Sequence, residues 1–202
     1  MRKARIASLL LAGVLSGMLA LPATAQEKKA KIGEPAPAFS LQDQNGKTVS
    51  LADFRGKTVV LEWFNPGCPY VQKFYENGGK MNQFARDLAS KDVVWLAINS
   101  NKQNTPEKNR QTAEKWQITR PILADADAAV ARSYSAKTTP HMYVIDKEGT
   151  LVYAGAIDDK PDADPKTLQG AKNYVLAAVT EIHAGKSVST PETKAYGCGV
   201  KY

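Results

Sequence analysis

The chain has 202 residues, 43% of them hydrophobic, and a formal net charge of +7. That length is enough to bury a full core. The charge is too mild and too evenly spread for a nucleic-acid surface, and no basic patch is interleaved with aromatics. No phosphate-cradling glycine loop and no zinc-type ligand spacing is present, so the sequence implies no cofactor and no metal site.

Arg2, Lys3 and Arg5 precede an apolar run from Ile6 to Leu21, which ends in Pro22-Ala23-Thr24-Ala25. A basic head, an apolar middle and a small-residue site make a secretory leader, with cleavage expected after Ala25. A retained anchor fits less well, because Gly13, Ser16 and Gly17 interrupt the run and it ends in that site, and a lipoprotein anchor fits no better, because no cysteine follows it. The expected organisation is a leader over 1–25, a domain over 26–185 and a tail over 186–202. Three of the 27 Lys and Arg residues lie in the leader, so the net charge of the mature chain falls from +7 to +4. Export to a bacterial periplasm, with no membrane attachment after cleavage, is the expected destination.

Residues 26 to 33 are charged and read as disordered. Asn45-Gly46 between the short β-prone runs Phe39–Leu41 and Thr48–Leu51 signals a hairpin. Ala52 to Gly56 is a short helical turn. Thr58 to Phe64 is an apolar run of strand type, followed by Asn65-Pro66-Gly67, then Cys68-Pro69, then apolar residues at roughly helical spacing. Proline suits the first turn of a helix, so Cys68 is expected at a helix N-terminus, where free amides and the helix dipole favour the thiolate. A buried structural cysteine is the bland alternative. Asn77-Gly78-Gly79 is expected to break or kink that helix before it resumes to about Ser90.

Val93 to Asn99 reads as a second buried strand. Thr105 caps a helix to Gln117, with Pro106 in first position. Ile122 to Asp125 is expected as a short edge strand and Ala128 to Tyr134 as a small helix. Thr138 to Asp146 and Leu151 to Gly155 flank a tight turn and should form an antiparallel pair. Pro165 to Ala184 is expected as one helix, since Leu168, Ala171, Val175, Ala178 and Ile182 make an apolar stripe, with Gly185 as its stop. The rest is a polar tail carrying Cys198 between Gly197 and Gly199.

From Ile32 to Gly185 the chain resembles the thioredoxin-like superfamily, and within it the peroxiredoxin-like (alkyl hydroperoxide reductase/thiol-specific antioxidant) proteins. The motifs are the strand-turn-Cys-helix at Trp63 to Tyr75, Thr139-Pro140 at a strand start, and Asp146 to Gly149 in the hairpin turn. The resemblance implies an α/β fold of thioredoxin-like type, a mixed central β-sheet flanked by helices on both faces. It implies a cis Pro140 beside the reactive sulfur, with the Thr139 backbone facing Cys68 and able to receive an incoming cysteine-bearing strand.

Two positions depart from the pattern. Val71 replaces the second cysteine of C-x-x-C. Asn65 and Pro140 stand where peroxidases of this type carry a threonine and an arginine, which slows the expected peroxide chemistry. With the leader, the resemblance therefore implies an exported thiol-dependent oxidoreductase that reacts with protein thiols or disulfides, or with peroxide, through Cys68. Cys198 is the candidate resolving thiol, reached by a flexible tail. A free tail thiol, a copper-binding protein using His141, and a redox-inert binding protein are the alternatives.

Overall fold

The computed structural model describes residues 29–76, 80–103 and 105–202. The expected leader, residues 26–28 and the Asn77-Gly78-Gly79 breaker lie outside the described residues.

The organising strand is β3 (Thr58–Trp63), all six of whose residues are buried. Its β-branched and large apolar side chains suit a pleated surface covered on both sides. It pairs in parallel with β4 (Val93–Asn99) and antiparallel with β7 (His141–Ile145). With β1 (Ser40–Gln42), β2 (Thr48–Ser50), β5 (Ile122–Ala124) and β8 (Leu151–Gly155), these strands form a seven-stranded mixed sheet. The order is β2-β1-β5-β4-β3-β7-β8. β5 is thus not an edge: β4 pairs along one side and Gln42 of β1 along the other. The N-terminal hairpin turns at Gly46, φ +79°, where Asp43 accepts the amides of Asn45 and Lys47.

Alternation along β3 divides the core. Val60 faces a cluster with helices α1 (Pro69–Tyr75), α2 (Lys80–Ala89), α3 (Pro106–Trp116) and α5 (Tyr174–His183). Val59, Leu61 and Trp63 face the opposite cluster, with α4 (Ala129–Tyr134) and the N-terminal hairpin. Each side chain so buried contributes about 1.5–3 kcal/mol. Glu62 shares the face of Val60 and is fully buried. Its carboxylate accepts from Tyr75 Oη at 2.8 Å, Trp95 Nε1 at 3.0 Å and Arg120 at 3.2 Å. The Arg120 guanidinium also lies over the Tyr75 and Trp95 rings. An unpaired carboxylate could not remain charged there; this set of partners replaces its water.

Three further expectations need correction. Residues 30–33 are not loose: the Ala30 amide donates to Ser133 O and the Gly33 amide to Leu151 O, both at 2.8 Å. The expected helix from Pro165 is two pieces, a 3-10 turn over Pro165–Leu168 and then α5. Gly170 takes φ +73° between them, and Asn173 caps α5 by accepting the Leu176 amide. The apolar stripe was real in period, but turn chemistry at Gly170 and Asn173 overrode it. The third concerns the tail. Ala154 donates to Pro191 O and the Thr193 amide to Ala154 O, so the tail runs along the outer edge of β8 and covers it. It then forms β9 (Cys198–Gly199), antiparallel to the short β6 (Thr138–Thr139).

Candidate active site

The turn between β3 and α1 is fixed by its own side chains. Asn65 Oδ1 accepts the Gly67 amide at 2.9 Å, the Cys68 amide donates to Asn65 O at 3.0 Å, and Gln72 Nε2 donates to Pro66 O at 3.0 Å. Cys68 is the N-cap of α1 with Pro69 in first position. Its carbonyl accepts the Val71 and Gln72 amides, each at 2.9 Å. The side chain is fully buried.

The second wall comes from the neighbouring strand. Trp63, at the end of β3, is opposite His141. The Thr139–Pro140 peptide just before it is cis, as the resemblance implied. Thr139 O lies 3.0 Å from Cys68 Sγ and accepts the thiol proton. On its other side Thr139 pairs with Cys198. The β9 ladder thus delivers Cys198 Sγ to 2.7 Å from Cys68 Sγ, longer than the S–S bond of about 2.05 Å. All four expected site residues, Cys68, Thr139, Pro140 and Cys198, meet in one place, and both cysteines are free thiols.

The electrostatics of the pair are asymmetric. Burial pushes the Cys68 thiol up, but hydrogen bonds from the Cys198 side chain, from the Thr139 side chain and from the Cys198 and Val71 backbone outweigh it, leaving the thiol below its ordinary value. Cys198 is pushed up to about 11 by burial, by its hydrogen bond to Cys68 and by the charge of a Cys68 thiolate. The arrangement can thus hold one proton on Cys198, shared toward a thiolate on Cys68.

The tail is held by groups that sequence reasoning missed. Tyr196 Oη donates to the buried Asp158 at 2.5 Å, and its ring lies 6.0 Å from that of Tyr70. Lys73 Nζ sits over the same ring at 5.1 Å and donates to Lys160 O at 2.7 Å. Gly197 takes φ +130°, and a Cβ there would stand 2.0 Å from Thr139 O. The available signals were a lysine between Val71 and Phe74 on the buried face of α1, and the acidic string Asp158, Asp159, Asp162 and Asp164.

His141 is not part of this site. Its Nδ1 accepts the Lys137 amide at 3.2 Å, and its ring packs against Tyr143 at 4.6 Å, in the cluster on the other face. The copper-binding alternative therefore loses its one nearby histidine. Among the described residues no group of three or more His, Cys, Asp or Glu is placed to hold a metal ion.

The sequence pattern of the AhpC/TSA family matches residues 32–154. The thiol-disulfide oxidoreductase ResA of Bacillus cereus is 26% identical over 144 residues, covering 71% of this chain and 80% of its own. A Mycobacterium tuberculosis protein named as a candidate peroxiredoxin is 30% identical over 139 residues, 60% of this chain and 82% of its own. Among solved structures, a hypothetical protein from Sinorhizobium meliloti superposes with a TM-score of 0.73 at 28% identity, over 87% of this chain and 96% of that one. Cys198 lies outside the family match, whereas Cys68, Thr139 and Pro140 lie within it. With a helix-flanked mixed sheet of thioredoxin-like type and that match over more than half of its length, the chain belongs to the AhpC/TSA family and is a thiol-dependent oxidoreductase.

Proposed function

We propose that the protein is exported and exchanges disulfides with other proteins through a Cys68–Cys198 dithiol/disulfide couple. The observation that carries this reading is the 2.7 Å contact between the two sulfurs, across the strand pair that places Thr139 opposite Cys198. Export rests on the leader-type sequence before Gln26.

In the reducing direction the Cys68 thiolate attacks one sulfur of a partner disulfide. That S–S bond breaks, a mixed disulfide forms on Cys68, and the partner's other sulfur leaves as a thiolate and takes up a proton. Cys198 then gives up its proton and attacks Cys68 Sγ, and the partner's second sulfur departs as a thiol. The products are a Cys68–Cys198 disulfide and a reduced partner; two electrons have moved to the partner. Run backwards, the same steps oxidise a partner dithiol. Because Cys68 is fully buried beneath the tail, residues 196–200 lift away when a partner engages, and the Thr139 backbone is then free to pair with an incoming strand.

Peroxide is the poorer substrate on this reading. Asn65 turns its side-chain oxygen back onto Gly67, and Arg120, the arginine buried near this face of the sheet, is committed to Glu62. Asn65 brings no hydroxyl and Arg120 no uncommitted guanidinium to position a peroxide and stabilise its departing oxygen.

A trapping experiment tests the proposal. Cys198→Ser protein mixed with a peptide disulfide should accumulate a mixed disulfide at Cys68, whereas wild type should pass through it and release free peptide thiol. In the same solutions, hydrogen peroxide should be consumed much more slowly than by a dedicated peroxiredoxin. No mixed disulfide in the variant, or peroxide consumption equal to the dedicated enzyme, would overturn it.

A further inference from the structure

We infer that Tyr196, held between Asp158, Lys73 and Tyr70, is a latch that positions Cys198 for attack on Cys68. The inference rests on the dithiol couple proposed above and adds a positioning residue that the cysteines alone do not reveal.

After Gly185 the chain has no helix and only the two-residue strand β9, which is too short to fix a register by itself. Reactive alignment needs the second sulfur held near one position, and holding it converts a search by a loose chain into a local step. Of the side chains near Cys198, Tyr202 donates to Ala136 O beyond it, whereas Tyr196 reaches the helix that carries Cys68. Tyr196 lies two residues before Cys198 and packs against the α1 side of the core together with it.

Three partners grip it from different directions. Asp158 accepts the phenol proton at 2.5 Å and is itself pinned to its loop, since its Oδ1 also accepts the Lys160 amide at 2.9 Å. The Lys73 ammonium faces the ring at 5.1 Å and is held by Lys160 O at 2.7 Å and by Asp162 at 4.0 Å. The Tyr70 ring closes a further side. A hydrogen bond to a charged acceptor and a cation over an aromatic face are both stronger than ordinary surface contacts. Tyr70 and Lys73 belong to α1, the helix that Cys68 caps. The latch is therefore referenced to the same element as the sulfur that Cys198 must meet.

Between latch and sulfur the chain has one shape. Gly197 at φ +130° leaves no room for a Cβ beside Thr139 O, and from there the β9 ladder carries Cys198 to Cys68. Fixing Tyr196 at one end and the Thr139 pairing at the other leaves the Cys198 side chain little freedom beyond its own rotamer.

The test is the equilibrium of the intramolecular disulfide in a glutathione buffer, read by thiol labelling, with alkylation of Cys68 as a second readout. Tyr196→Phe keeps the ring and loses the bond to Asp158. It should lower the closure constant by roughly tenfold, the range for a hydrogen bond to a partly screened charge. Cys68 should become alkylated faster, because the tail above it opens more often. Asp158→Asn should show a smaller loss in the same direction, and the double variant should be no worse than Tyr196→Phe alone, since both remove one interaction. A purely structural role would lower thermal stability and leave the closure constant in place. A closure constant within twofold of wild type in Tyr196→Phe, or additive losses in the double variant, would refute the latch while leaving the dithiol couple intact. Failure of the wild type to form the Cys68–Cys198 disulfide would overturn both.

Discussion

Replacing Gly197 by alanine should disconnect the two cysteines without unfolding the protein. The residue stands at φ +130°, a conformation that costs a residue with a Cβ about 1–3 kcal/mol. The new Cβ would also stand 2.0 Å from Thr139 O and 2.7 Å from Thr139 C. Both are backbone atoms, so neither can rotate out of the way as a side chain would. The cheaper response is for the tail to leave β6, giving up the β9 pairing and the sulfur contact. The conformational strain alone corresponds to a five- to hundredfold loss in docking, at about 1.4 kcal/mol per tenfold, and the overlap adds to it. The assay is disulfide closure in a glutathione buffer together with the unfolding midpoint in urea. The expected result is a closure constant at least tenfold below wild type, rapid alkylation of Cys68, and a nearly unchanged midpoint. Closure as in wild type would refute the claim that the tail reaches Cys68 by this path.

Other consequences follow from the buried groups. Thiolate absorbance should give Cys68 a titration midpoint below the free-cysteine value of about 8.5. Cys198→Ala should raise that midpoint, because burial still opposes the charge while a stabilising donor is gone; an unchanged or lower value would contradict the hydrogen-bond account. His141 is held down to about 4 by burial and by Lys137. The unfolded chain therefore takes up this proton first, and the stability present above pH 6.5 drains as pH falls from 6.5 towards 4, by about 3 kcal/mol at most. Urea midpoints at pH 7 and 4.5 should fall further in wild type than in His141→Gln, and parallel losses would reject the assignment. Arg120→Met leaves the fully buried Glu62 without its cation and should cost about 3 kcal/mol in urea unfolding; a loss below about 1 kcal/mol would show that Tyr75 and Trp95 suffice.

The parts of this architecture legible in the sequence are those where local chemistry and tertiary packing agree. Cys68 followed by Pro69 announces a helix start, and the run Thr58 to Trp63 announces a strand buried on both faces. Asn45-Gly46 marks the hairpin turn. Of the candidate site residues, Cys68 was legible from its turn and helix start, and Thr139 and Pro140, with the cis bond between them, through the family resemblance. What could not be read depends on contacts distant in sequence. β5 looked like an edge because only the third dimension brings Gln42 beside Ala124. The tail looked like a loose polar segment because its apolar residues are few and without period. Its order comes from Tyr196 meeting Asp158, from Thr193 capping the edge of β8, and from a glycine whose missing side chain admits the Thr139 carbonyl. Glu62 and Arg120, 58 positions apart, left no local signature of their pairing.

The most direct test of the account is the redox state of the two cysteines after mild oxidation of the wild-type protein. Intact-mass measurement with thiol labelling should show the loss of two protons and no labelled thiol, with Cys68 and Cys198 joined within one chain. Dithiol reductant should restore both labels, and neither Cys68→Ser nor Cys198→Ser should form the internal bond. Oxidised wild type that keeps both thiols labelled, or that links only between chains, would contradict the Cys68–Cys198 couple.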